Sequence, residues 1–472
     1  MLYSLLTVFI LLFIDISTLY AQEGNRQIIK GKVLDFETGD PVAYSTISCG
    51  KESTFSNTDG DFIFKLPPGL DSLIISHIGY RSLYIAVSSL NSYQNDYFRL
   101  HSDTLKLAEI IIQSKKIKEN AKDIVKQASA RIESNLLQDF GADAFYRQIH
   151  YFNNVVENKY QYLRLLEAGI RLNYNGQNLS SEIFEIRSSD DMRFAKNFKL
   201  NSKSKKRENE SNGHRLENFL KLDYLRFKDV NFHEFKFSEE VIGLGSLNDK
   251  FIERHKFKLD TIISNNGNWV YVIKVLPSKK SVDLLSRIKK FMVIPIGKLY
   301  IRGSDYAVLQ MEYSYIINPE KTKSNFSYAV TQMMIGGRIV FSDKLLYSNY
   351  NGKTYLSSIR RDIYDTQALG GNNVAIYRNL GGRESMNKEA DGFFRVSKEL
   401  IINNVYITPQ SSVFHNRESQ YQNLTPLTHT YNRSFWRNFN STKSTEKETK
   451  LIRDLEVNRS LEEQFEDNNK SY

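Results

Sequence analysis

The eight histidines, His77, His101, His150, His214, His233, His255, His415 and His429, are where metal or acid–base chemistry would first be sought, and none lies three to five residues from another. A zinc-binding helix of the H-E-x-x-H type needs two imidazoles one turn apart on one face, so that motif is absent. His233-Glu234 begins it, but Phe237 stands where the second histidine belongs. Gly243-Leu244-Gly245-Ser246 carries its serine in the wrong frame for a nucleophile elbow. There is no phosphate-binding P-loop, and no G-x-G-x-x-G follows a strand pattern. Cys49 is the sole cysteine, which excludes an internal disulfide and any multi-cysteine zinc or iron–sulfur centre. It ends a strand pattern and reads as a buried structural thiol. Asp190-Asp191 and Glu239-Glu240 are adjacent pairs, which a strand would send to opposite faces. Asn57, Asp59 and Asp61 offer oxygens to a calcium ion, but few of the six or more that it takes, and turn chemistry explains them first. No catalytic residue, metal ligand or cofactor is assigned. A carboxylate pair drawn from distant positions, as in glycosidases, stays open.

The elements that would position a site are mostly strands. The chain has 472 residues, 41% hydrophobic and 25% charged, with 29 Phe and 28 Tyr but 8 Pro. That is globular composition with a β lean, and its length allows two to four domains. The net charge of +10 is a mild excess over this length, favouring anionic surfaces weakly and implying no nucleic acid.

Residues 1–21 read MLYSLLTVFILLFIDISTLYA. Leu5 to Ile14 is an apolar run too short to span a bilayer, and Ala21 precedes a polar stretch, which is the layout of a cleaved secretory signal. No later run reaches 18 apolar residues, so no transmembrane helix is expected after cleavage. The expected address is the periplasm or the outer-membrane surface.

From Gln27 to Leu100, short alternating runs are separated by turn residues: Ile28–Val33, Val42–Ser48, Phe62–Leu66, Leu73–Ser76 and Leu83–Val87. This predicts a small all-β sandwich over 27–101, with strand and linker over 102–116. Within it, Gly31-x-Val33-x-Asp35, Gly39-x-Pro41-x-Ala43, Ser56-Asn57-x-Asp59-Gly60-x-Phe62 and Leu73-x-Ile75-Ser76-x-x-Gly79-Tyr80 resemble the carboxypeptidase regulatory-like domain. The resemblance implies a transthyretin-like sandwich of about seven strands, common in Bacteroidetes envelope proteins. It implies no peptidase activity, since in metallocarboxypeptidases the zinc belongs to a separate domain.

The remainder predicts a larger domain, 117–410, of helix plus curved antiparallel sheet. Ile117, Ala121, Ile124, Val125, Ala128, Ile132 and Leu136 fall at helical spacing. Aromatic-rich strands follow at Phe145–Phe152 and Tyr160–Tyr174, then a basic loop, Asn201–Gly213. The clearest meander lies between Lys256 and Arg360. Trp269, Tyr271, Ile273 and Val275 alternate there, as do Leu309, Met311 and Tyr313, with Val308, Gln310, Glu312 and Ser314 on the opposite face. Such a sheet can curl into a half-barrel around an apolar groove, and Trp269, Tyr271, Ile273, Leu309, Met311 and Tyr313 are its candidate lining. Phe145-Tyr146-Arg147, Leu166-Glu167-Ala168 and Gly297-x-Leu299-x-Ile301 before Asp305-Tyr306-Ala307 resemble the region following the regulatory-like domain in Bacteroidetes envelope proteins, and the strand pattern is similar to the half-barrels of lipoprotein carriers. A C-terminal extension, 411–472, carries a helical stripe at Leu451, Ile452, Leu455, Leu461 and Phe465.

Three functions fit this pattern. The first is a non-catalytic envelope protein binding a protein partner or a hydrophobic or glycan ligand. The second is a periplasmic carrier of lipid or lipoprotein. The third is a hydrolase acting on envelope glycan or peptide.

Overall fold

The computed structural model describes residues 26–90, 95–103, 120–154, 159–176, 178–189, 219–220, 222–227, 247–278, 293–317, 339–364, 392–407 and 431–468. The signal-like segment, the Leu105–Ile112 strand, the Asn201–Gly213 loop and the pairs Asp190-Asp191, His233-Glu234, Glu239-Glu240 and Gly245-Ser246 lie outside them.

The amino-terminal sandwich has seven strands: β1 (Ile28–Asp35), β2 (Thr46–Cys49), β3 (Glu52–Phe55), β4 (Asp61–Lys65), β5 (Ser72–Ser76), β6 (Leu83–Ala86) and β7 (Asn95–Leu100). One layer runs β4-β1-β7, with β1 and β7 parallel, and the other β3-β2-β5-β6. Alternate residues from both, among them Val33, Ile47, Phe62, Phe64, Leu73, Ile75 and Phe98, fill the core. The strand expected from Val42 begins only at Thr46. Tyr44 takes a φ of 62°, and Ser45 and Ser56 bond the intervening backbone, so Val42–Ser45 form a corner instead. Gly60 has a φ of +78° and passes so close to the Val33 carbonyl that a Cβ would lie 2.4 Å from its oxygen. Only glycine suits that turn.

The second unit opens with α1 (Ala121–Ala130), capped by Asn120, whose side chain accepts from the Asp123 amide, and α2 (Ile132–Asn135). The expected continuous helix breaks at Arg131. Then come β8 (Phe140–Asn154), β9 (Lys159–Asn175), β10 (Asn178–Ser188), the short α3 (Asp249–Arg254), β11 (His255–Asn265), β12 (Asn268–Pro277), β13 (Val293–Arg302), β14 (Val308–Ile317), β15 (Ile339–Tyr350), β16 (Lys353–Tyr364) and β17 (Gly392–Tyr406). They pair antiparallel in the spatial order β11-β12-β13-β14-β15-β16-β17-β8-β9-β10, a curled half-barrel. Of the motifs Phe145-Tyr146-Arg147 and Leu166-Glu167-Ala168, Tyr146 stands directly opposite Ala168 and Arg147 opposite Glu167 in β8 and β9.

The sandwich hangs on this sheet. Where β16 parts from β17, β3 takes its place through Glu52 opposite Asn404, and Ser53 donates to the Ile402 carbonyl. Asp103 accepts from Ser264 at 2.7 Å, and Asn266 exchanges two hydrogen bonds with Ser82, fixing the β11–β12 hairpin to the sandwich. The carboxyl end closes the joint with α4 (Arg433–Asn438), α5 (Glu446–Leu455) and α6 (Leu461–Asn468). Leu455 and Phe465 pack on Ile149 and Leu165, so the expected terminal helix docks as two.

Candidate functional site

The alternation of each long strand divides the sheet into two faces. The inner face is apolar: Tyr271, Ile273, Leu299, Ile301, Met311, Tyr313, Leu345, Ile359, Leu400, Ile402, Ala168 and Ile170 belong to one core with Ile124, Val125 and Ala128 of α1 and Phe251 and Ile252 of α3. Four of the six residues expected to line a groove, Tyr271, Ile273, Met311 and Tyr313, therefore converge there. Trp269 lies partly buried at its edge, its ring against Gly303. Leu309 does not join them. A bulge between Tyr300 and Ile301 pairs Ile301 with Val308, so Val308, expected on the opposite face, enters the core in its place.

This inner face is occupied by the chain itself. Phe219–Leu220 and Leu222–Phe227 lie against it, with Phe219 beside Tyr146 of β8, Tyr224 beside Tyr313 of β14 and Asp343 of β15, and Arg226 at the ends of β8 and β9. Each described residue here is at most 9% exposed. Apolar contacts seat the segment, such as Phe219 edge-on to Tyr146 at 5.6 Å, and polar ones anchor it. Asp223 accepts from Tyr347 at 3.0 Å, and the Tyr224 hydroxyl donates to Asp343. Arg226 lies over the Tyr174 ring and donates to the Leu137 and Gly176 carbonyls at 2.6 Å and to that of Gln138 at 3.2 Å. Burial raises the Asp223 carboxyl above the usual range, and its Oδ2 accepts no hydrogen bond, although Arg226 Nε stands 3.5 Å away. The Tyr174 hydroxyl is also unsatisfied, and burial pushes its pKa up.

Beneath the segment, a buried polar row crosses the inner face: Tyr313, Asp343, Arg361, Lys398 and Gln148 stand directly opposite one another on β14, β15, β16, β17 and β8. Arg361 grips Asp343 in a two-pronged pair at 2.6 Å. His255 Nδ1 donates to the Phe251 carbonyl, which leaves Nε2 to accept from the Tyr313 hydroxyl at 3.0 Å. Burial lowers this histidine to about 4, so it is neutral at pH 7.

The outer face carries a second row, made wholly of charges. From β11 to β10, Lys258, Lys274, Lys298, Glu312, Lys344, Arg360, Glu399, Arg147, Glu167 and Arg187 are successive cross-strand partners. Its middle is roofed by the sandwich, with Lys344 and Arg360 over the Tyr44 ring at 4.4 and 5.9 Å. Its β8–β10 end is roofed by the carboxyl-terminal segment. There Glu167, 2% exposed, accepts from Arg147 on one oxygen and Arg187 on the other, both at 2.7 Å. The two guanidinium groups hold its carboxyl down at about 2 against the cost of burial. Arg147 also donates to the Thr442 carbonyl, and Arg187 stacks 4.1 Å from the Trp436 ring.

The other candidates resolve into structure. Asn57 Oδ1 accepts from the Asp59 and Asp61 amides, Asp59 accepts from the Glu446 amide, and Asp61 pairs with Lys32 and Lys443. This turn is therefore a docking point for the carboxyl-terminal segment. Lys65, buried and lowered to about 8, donates to the Trp436 and Phe439 carbonyls. Cys49 is buried, and its thiol is pushed up by desolvation. Among the described residues, no three His, Cys, Asp or Glu side chains are grouped to hold a metal ion, and no helix is long and apolar enough to cross a membrane.

Residues 29–112 match the CarboxypepD_reg-like domain family, the domain read from the four amino-terminal motifs. Among curated proteins, none matches this sequence. Solved structures that align with this chain include a LolA superfamily protein from Nitrosomonas europaea, at 10% identity and a TM-score of 0.23, covering 62% of this chain and 94% of that one. A domain described as an outer membrane lipoprotein-sorting protein, from Vibrio parahaemolyticus, aligns at 11% identity and a TM-score of 0.23, covering 64% and 97%. The Pseudomonas aeruginosa MucA/MucB complex aligns at 8% identity and a TM-score of 0.15, covering 61% and 99%.

Proposed function

We propose that this chain is a non-catalytic binding protein of the cell envelope, a carrier whose half-barrel takes the acyl part of a ligand against the inner face of its sheet. One observation carries the reading: that apolar wall is covered by Phe219–Leu220 and Leu222–Phe227, which belong to no strand and are buried at every described residue. Connecting segments ordinarily run over the surface, because their backbone groups need water, so a buried one is unusual. In this reading the segment stands where the ligand goes. An incoming acyl chain replaces Phe219, Leu222 and Leu225 on the wall, while the row Asp343–Arg361–Lys398 faces the polar head. Asp223 Oδ2 and Arg226 Nε form an ion pair without a hydrogen bond, and that looser pairing of buried polar atoms favours exchange. The apolar leader and the regulatory-like sandwich support an envelope address.

The experiment is mass spectrometry of lipids retained by the natively purified chain, with titration of a fluorescent fatty acid. Arg226→Ala frees the segment from three carbonyls and is expected to bind the probe several-fold more tightly than the parent. A chain that retains no lipid, with neither form binding the probe, sinks the carrier.

A further inference from the structure

The outer charged row is roofed along most of its length, but its β11–β13 end is open. Lys258 is exposed, and the side chains of Lys274 and Lys298 are 43% and 40% exposed. These three lysines are direct cross-strand neighbours, and Lys256, also exposed, stands beside them opposite Leu276, one of the exposed large hydrophobic residues. Like charges placed directly opposite in a sheet destabilise it. The roofed end shows the alternative, because there Glu399 and Glu167 alternate with Arg360, Arg147 and Arg187. At the open end Asp260 pairs with both Lys274 and Lys298 at the bulge between Leu259 and Thr261, and Glu312 stands opposite Lys298 on β14.

Lysines on an edge strand keep sheets from pairing, which accounts for Lys256 and Lys258 on β11. It does not account for Lys274 and Lys298, because β12 and β13 are interior strands.

We infer that this end of the outer face docks on an anionic phospholipid surface. The four cations are all lysines, point charges without the planar fork that reads one carboxylate or phosphate bidentately, so they suit a diffuse layer of headgroups. Leu276 among them supplies the apolar contact that a bilayer interface accepts. The inference is independent of what fills the inner face.

The test is co-sedimentation of the full chain with phosphatidylcholine vesicles, with and without phosphatidylglycerol, across a salt series. Binding is expected only with the anionic lipid and is expected to fall as salt rises. A lysine near such a surface is worth about fivefold in affinity, so Lys258→Gln/Lys274→Gln/Lys298→Gln is expected to bind roughly a hundredfold more weakly. Its thermal midpoint is expected to stay level, because the like-charge repulsion removed offsets the exposed Asp260 pairs lost, and this separates lost docking from lost folding. Equal binding to both vesicles overturns the inference, as does no binding to either, or a triple variant that binds like the parent. A parent that binds polyphosphate in solution and ignores the vesicles overturns it as well.

Discussion

Replacing Glu167 by glutamine keeps the shape of the side chain and removes its charge from between two guanidinium groups. A carboxyl whose folded pKa lies below its unfolded value stabilises the fold above the unfolded value, and that contribution is lost as pH falls through the folded one. For Glu167 the values are 4.5 and about 2, which corresponds to about 3 kcal/mol at pH 7. The cost reached from the other side agrees, since breaking a buried ion pair by deleting one partner costs about 3–5 kcal/mol. Urea denaturation at pH 7 should therefore place E167Q about 3 kcal/mol below the parent, with the gap narrowing between pH 4.5 and about 2. The carboxyl-terminal segment should also loosen, because Arg147 holds the Thr442 carbonyl and Arg187 holds the Trp436 ring. Limited proteolysis within 431–468 reads that directly. Neutralising the whole triad, as Arg147→Met/Glu167→Leu/Arg187→Met, should return stability to within about 1–2 kcal/mol of the parent, since Glu399 keeps Arg360 and no charge of the triad is left stranded. An E167Q loss under about 1 kcal/mol, with no change in proteolysis, would refute the reasoning.

Three further outcomes are expected. His255, held near 4 against an unfolded 6.5, binds fewer protons folded than unfolded between those values, so its contribution is complete above pH 6.5 and is lost as pH falls toward 4. His255→Phe, seated among Phe251, Phe257 and Tyr313, should flatten the stability profile across that window in pH-resolved denaturation. Gly60→Ala should cost about 1–3 kcal/mol, read as a lowered denaturation midpoint, because alanine meets both the positive φ and the Val33 carbonyl. Met311→Ala, at a fully buried inner-face position, should cost about 2–5 kcal/mol by the same measurement.

The strands were legible because a period of two survives in residues such as Trp269 to Val275, whatever their partners. Leu309 misled because a bulge adds a residue that no local pattern announces, and every side chain beyond it changes face. The regulatory-like sandwich was legible from its turn residues, each tied to a backbone need such as Gly60. Both polar rows were illegible for one reason: Glu399 or Asp343 is one charge among several in its strand, and only register selects which charge meets which. The signal nearest to the buried triad was the pair of motifs holding Arg147 and Glu167, found separately and opposite each other in the fold. The 219–227 segment gave a weaker sign, a short apolar run interrupted by Lys221, Asp223 and Arg226 whose alternation from Leu220 to Tyr224 lapses at Leu225.

The two rows bear on why this sheet holds one register. A slip of one residue turns a strand's whole pattern over. In β8 it would drive Arg147 inward and Tyr146 outward, and in β17 it would do the same to Glu399 and Leu400. Hydrophobic alternation alone opposes such a slip with the burial of a few apolar side chains. Here it would also strand buried charges, each costing several kcal/mol without its partner. Slips of two residues preserve alternation, and apolar pattern alone hardly resists them. They would break Arg360–Glu399–Arg147–Glu167–Arg187 outside and Asp343–Arg361 inside. The triply neutralised chain tests this: it should keep its stability yet lose uniqueness across β17, β8 and β9, seen as accelerated amide exchange on those strands. Protection equal to the parent's would leave register to the hydrophobic pattern and the turns.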